Sequence, residues 1–149
     1  MGYRNIVVGT DGSPTAEIAV RHAAGLAKAF GARLTVVTAY AHDAVKEGKH
    51  VEELPADLRW MATDVNQAEG KAQHGKRLAR ELGVKDVVVH VGEGDPTDAL
   101  LSAVEERGGD LIVVGNKGLA SASRSISGNV PYKVSHRAPC DIVIVHTTD

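Results

Sequence analysis

Five short Val- and Ile-rich runs, separated by stretches whose apolar residues recur at helical spacing, constrain this chain more than any other feature. The runs are "NIVVG" (5–9), "RLTVVTAY" (33–40), "DVVVHV" (86–91), "DLIVVG" (110–115) and "DIVIVHT" (141–147). They alternate little between apolar and polar residues, so each predicts a strand buried on both faces. Between the runs the period changes. Ala16, Ala19, Val20, Ala23, Ala27 and Phe30 predict the inner face of a first helix. Leu58, Met61, Val65, Ala68, Ala72, Ala79 and Leu82 predict that of a second, with a gap at Gly75 and Trp60 in its packing. Pro96, Thr97, Leu100, Leu101 and Val104 mark a third, with Asp95 as N-cap and Pro96 as its first residue, and Asn129 with Pro131 repeats that grammar at a fourth. Strands alternating with helices predict a parallel sheet covered on both sides, a doubly wound α/β domain. The polar segment 41–57 predicts a surface loop, and the 149 residues are expected to form one domain, 1–149.

Composition narrows the function classes. A formal net charge of -2 supplies no basic field to neutralise a row of phosphates, so nucleic acid is not an expected partner. No apolar run approaches the roughly 18 residues that span a bilayer, so no membrane partner is expected either. The N-terminus reaches Asp11 too early to hold the apolar segment of a signal peptide, and a lone Cys140 forms no internal disulfide framework. A cytoplasmic, reduced location is expected. Cys140 reads as a small packed residue, and no two of the seven histidines stand at a helical i,i+4 metal spacing.

In open parallel sheets, ligands bind beyond the carboxyl ends of the strands, where the strand order reverses. After the first strand comes "GTDGS", in which Asp11 leaves the strand, Gly12 permits a tight turn, and Ser13 with Pro14 starts a helix. Ser13 there is a helix cap, with neither a nucleophile elbow nor an evident His partner. The loop after the fourth strand carries the spacing Gly115-x2-Gly118-x9-Gly128, followed by Asn129, Val130 and Pro131 as a helix begins. Glycines let backbone N–H groups approach a ligand, and the first turn of a helix has unpaired N–H groups at the positive end of its dipole. Together these make an anion site, with phosphate the usual occupant. Ser121, Ser123, Ser125 and Ser127 add hydroxyls, and Lys117 and Arg124 add positive charge that can fold over the ligand. Neither a Walker sequence nor a GxGxxG after the first strand is present.

"VVGNKG", then "GNVPYKVSHRAPCDIVIVHT", together with "IVVGTDGSPTAEIAVRHAAGLA" at the start, resembles the universal stress protein family across essentially the whole chain. The three glycines in register resemble the family's ATP-binding branch. The resemblance implies a sheet of order 3-2-1-4-5 with two helices on each face, putting "GTDGS" opposite "GNKG". It implies an adenine nucleotide as ligand: ATP first, with AMP or cyclic AMP as smaller alternatives, and Mg2+ accompanying the nucleotide. Carried over by motif, Asp11, preceded by Gly9 and Thr10, would meet the ribose or the nearby phosphate region. Val37, Thr38 and Ala39 would line the adenine. Val114, Gly115, Asn116 and Gly118 would flank the ribose and first phosphate, and Ser127, Gly128, Asn129 and Val130 would reach the distal phosphates. Asn129 departs from the family pattern, which has a hydroxyl residue there; its amide can donate to a phosphate oxygen instead.

The expected function is therefore a nucleotide-binding stress-response sensor or effector, not an enzyme. The rival readings are a slow ATPase or nucleotidyl transferase, for which no general base is evident, and an interaction module that binds no nucleotide. The apolar last strand, 141–147, at the sheet edge is a liability unless paired, and its pairing with a second copy would give the homodimer that the resemblance implies.

Overall fold

The computed structural model of the chain describes residues 2–41, 60–116 and 130–147. Among the described residues nine elements follow one another: β1 Asn5–Gly9, α1 Pro14–Phe30, β2 Arg33–Tyr40, α2 Val65–Glu81, β3 Val87–Glu93, α3 Pro96–Arg107, β4 Leu111–Gly115, α4 Val130–Arg137 and β5 Asp141–Val145. The strands form one parallel sheet in the order β3-β2-β1-β4-β5, as the resemblance implied.

Alternate residues of the strands face opposite layers, and both layers are apolar. Ile6, Val8, Leu34, Val36, Leu111 and Val113 pack beneath α1 and α2 against Ala19, Val20, Ala23 and Ala79. Val7, Val37, Ala39, Ile112 and Val114 pack beneath α3 and α4 against Leu100, Ala103, Val104 and Val134. Full burial of each such Val, Leu or Ile stabilises the fold by about 1.5–3 kcal/mol, which is why the central strands show no alternation. Local chemistry sets the helix starts. Ser13 caps α1 and Asp95 caps α3, each followed by Pro at the first helical position. Asp64 caps α2 in a reciprocal box with Gln67.

At the amino end of the sheet, the buried Asn5 closes a polar network. Its side chain donates to the Arg107 carbonyl at 2.6 Å and accepts from the Thr35 hydroxyl at 2.9 Å, while Asp110 accepts from the Asn5 backbone N–H at 3.1 Å. Hydrogen bonds of this kind offset the cost of removing these polar atoms from water. No helix among the described residues is long and apolar enough to cross a membrane.

Several expectations need correction. Phe30, the last residue of α1, is exposed instead of facing the sheet, and stacks edge-on against Tyr3 at 5.4 Å. Met61, Val65 and Leu82 are exposed as well, and Leu58 lies outside the described residues. The cause is that α2 starts only at Val65: Trp60 and Met61 belong to a separate short turn, and Trp60 packs on the α3 layer. Gly75 is no gap, since it is buried against β2, and a Cβ there would lie 2.9 Å from Val36 Cγ1. Nor is β5 buried on both faces. It is an edge strand with Asp141 and Ile144 exposed. The predicted loop 41–57 lies outside the described residues beyond Ala41.

Three helical glycines therefore respond differently to the same change. A Cβ at Gly25 or Gly70 meets nothing within 4 Å. Gly25→Ala and Gly70→Ala should each raise the unfolding free energy in urea by roughly 0.5–1 kcal/mol. Gly75→Ala should lower it, because Val36 is fully buried and its branched side chain cannot move aside.

Candidate functional site

The cleft begins where two strands part company. The β1–β4 register runs through Ile6↔Leu111, Val7↔Ile112 and Val8↔Val113 and then stops. Beyond that point β1 stays with β2, through Gly9↔Val37 and a Thr10 N–H to Val37 O bond of 2.9 Å. β4 stays with β5, through Gly115↔Val145 and an Asn116 N–H to Val145 O bond of 2.8 Å. A cleft opens between the two strand ends.

Nine residues expected from the sequence line this cleft: Gly9, Thr10, Asp11, Val37, Thr38, Ala39, Val114, Gly115 and Val130. The loop after β1 is held by its own side chains. Gly12 adopts a φ of 82°, which favours glycine, and its N–H donates to Thr10 Oγ1 at 3.1 Å. Asp11 Oδ1 accepts from the Ser13 N–H at 2.9 Å, and Ser13 Oγ accepts from the Ala16 N–H at 3.2 Å. Asp11 is thereby fixed as an exposed carboxylate at the rim. Thr38 is 2% exposed, and its hydroxyl has no hydrogen-bond partner among the described residues. Such an orphan is costly in a finished core but fits a wall that awaits a polar ligand.

Asn116 is not on the cleft wall. Its Oδ1 accepts from the Thr147 N–H at 2.7 Å and from the Thr147 hydroxyl at 3.1 Å, and its Nδ2 lies 3.1 Å from His146 Nδ1, fastening the exit of β4 to that of β5. Lys117, Gly118, Arg124, Ser127, Gly128 and Asn129 lie outside the described residues.

The cleft also contains residues that the sequence reading missed. Pro96 and Pro131 line it, and both start helices that follow strands, a signal that was available because such starts gather at the carboxyl end of the sheet. Thr147 arrives from beyond β5, and Trp60, Thr63 and Lys71 come from around the start of α2, with Lys71 Nζ 3.3 Å from Thr63 Oγ1. Nothing in their spacing links them to the strand ends. Asp11 is the sole carboxylate lining the cleft among the described residues, and no group of three or more His, Cys, Asp or Glu among them could hold a metal ion.

The universal stress protein family profile matches residues 2–146 of the chain. A universal stress protein of Mycobacterium tuberculosis is 36% identical over 146 residues, covering 98% of this chain and 98% of that relative. A putative universal stress protein of Staphylococcus aureus is 31% identical over 148 residues, covering 99% of this chain and 86% of the relative. Among solved structures, a universal stress protein in complex with cAMP matches with a TM-score of 0.78 at 31% identity, covering 99% of this chain and 100% of that one.

Burial pushes the Cys140 thiol up, with Asp110 and Asp141 adding to the effect, so it holds little of the reactive thiolate. His90 and Ser102 approach each other at 3.3 Å, yet the protons run against nucleophilic use. Arg107 Nε donates to His90 Nδ1 at 3.2 Å, so the ring proton sits on Nε2, facing Ser102, while the Ser102 hydroxyl donates to Glu106 at 2.7 Å. Burial, and then the Arg107 charge, hold His90 below the usual imidazole range.

That shift gives a pH dependence. Below an ordinary histidine value of about 6.5, the unfolded chain takes up a proton that folded His90 refuses. Stability should be complete above that value and decline as pH falls through it towards the lowered folded value. Urea midpoints measured from neutral to mildly acid pH should show this decline, and His90→Gln should flatten it relative to the parent.

Proposed function

The chain belongs to the universal stress protein family, and from that premise we propose that it binds an adenine nucleotide in the cleft between β1 and β4. Its role is then that of a cytoplasmic stress-response sensor or effector. The observation that carries this reading is the parting of β1 from β4, which brings the loop after β1, the end of β2, the end of β4 and the start of α4 around one cavity. The cAMP complex of the 31% identical relative supports the ligand class. In this reading Asp11 meets the ribose hydroxyls, Val37 to Ala39 flank the base, and Val114 and Gly115 border the ribose. Val130, at the start of α4, lies towards the phosphates, with Gly118, Gly128 and Asn129 of the glycine motif completing that end.

Binding, not turnover, is the activity we propose. Asp11 is tied to the Ser13 N–H, and no second carboxylate lines the cleft among the described residues to act as a general base. ATP remains the first choice of nucleotide on the glycine spacing, with AMP and cyclic AMP as the smaller ligands and Mg2+ arriving with the phosphates. We further propose a homodimer through β5, since this edge strand leaves Ile144 44% exposed.

Isothermal titration with ATP, ADP, AMP and cyclic AMP, with and without Mg2+, should give saturable binding of at least one of them and no multiple-turnover phosphate release. Silence from all four at millimolar ligand would overturn the reading. Asp11→Ala should weaken the bound nucleotide about ten-fold or more by removing a charged hydrogen-bonding group. For the dimer, Ile144→Lys should shift the mass seen by light scattering from dimer to monomer with the circular dichroism unchanged; a parent that is already monomeric refutes this part.

A further inference from the structure

We propose that Trp60 is the base-contacting residue of the cleft, its indole stacking on the purine ring of the bound nucleotide and giving the site a preference for purines over pyrimidines. This rests on the nucleotide reading above. Trp60 is the single tryptophan of the chain, and among the described residues it is the one aromatic side chain lining the cleft. Its backbone is anchored. The Trp60 carbonyl accepts from the Thr63 N–H at 3.0 Å, and the Thr63 carbonyl accepts from the Ala41 N–H at 2.9 Å, tying the 60–62 turn to the chain leaving β2. The indole packs against the apolar layer that also contains Val37 and Ala39, and all three line the cleft. It is half-buried: part of it packs on the layer containing Ala99 and Leu100, and part remains on the cleft wall.

A flat heterocycle entering there meets an apolar slot lined by one indole. Base–aromatic stacking tolerates any base but strengthens with ring overlap, and a purine covers more of an indole than a pyrimidine does. The position of Trp60 also separates the work of the cleft, with the ring recognised at the end of β2 and the charged part of the ligand directed towards the start of α4.

The test combines variants with the emission of the protein's own tryptophan. On titration with AMP, emission should change saturably and follow the calorimetric isotherm, and AMP should bind more tightly than uridine monophosphate. Trp60→Leu keeps apolar bulk but removes the π face; it should weaken AMP about 5- to 150-fold and narrow the purine preference, while Trp60→Tyr restores most of both. A packing role predicts instead that leucine serves as well as tyrosine, and that result overturns the proposal. So does parental protein that binds AMP with no change in emission, an arm that holds even where Trp60→Leu fails to fold. Absence of any nucleotide binding overturns both this inference and the nucleotide reading, whereas tight AMP binding indifferent to Trp60 overturns stacking alone.

Discussion

Pairing between β1 and β4 ends at Val8 and Val113 while each strand stays bonded to its outer neighbour, and the candidate site depends on that parting. A gap in a parallel sheet ordinarily leaves backbone groups without partners, at a cost comparable to a lost hydrogen bond each. Here the N–H groups of Thr10 and Asn116, beyond the gap, are taken up by Val37 and Val145. Past the opening each strand end thus continues its ladder with its outer neighbour, and apolar layers cover both halves of the sheet.

The two ends of the sheet are treated differently. At the amino end Asn5, Thr35, Asp110 and the Arg107 carbonyl satisfy one another, and the sheet is sealed. At the carboxyl end the buried hydroxyls of Thr38 and Thr97 have no partner among the described residues, and of the two Thr38 lines the cleft. A sequence able to satisfy one buried cluster so fully leaves another unmet where a ligand is expected to enter, and functional sites are where such local rules are commonly broken.

Much of this was legible in the sequence, for identifiable reasons. Strands buried on both faces write themselves as unbroken Val and Ile runs, and the described β1 and β2 match those runs residue for residue. Ser13–Pro14 and Asp95–Pro96 announced two helix starts because capping is local chemistry. What escaped was contact between distant segments. Gly75 looked like a break in an apolar stripe, yet it is a close approach of helix to strand with no room for a Cβ, which periodicity cannot distinguish from a defect. Trp60, Lys71 and Thr147 reach the cleft from three separate segments. Asn116 sits inside the glycine motif yet turns its side chain to Thr147, a partner that the motif does not specify.

The strand order also has a consequence for how the molecule comes into being. β1 meets β2 soon after it is synthesised, but its other neighbour arrives far later, as the 105-position separation between Asn5 and Asp110 makes plain. Contacts of such range are slow to form, and until β4 emerges an apolar central strand stands with one edge open, at risk of pairing with another chain. The cleft cannot exist in any nascent intermediate that lacks β4, so a ligand that occupies it would select for chains already synthesised through that strand.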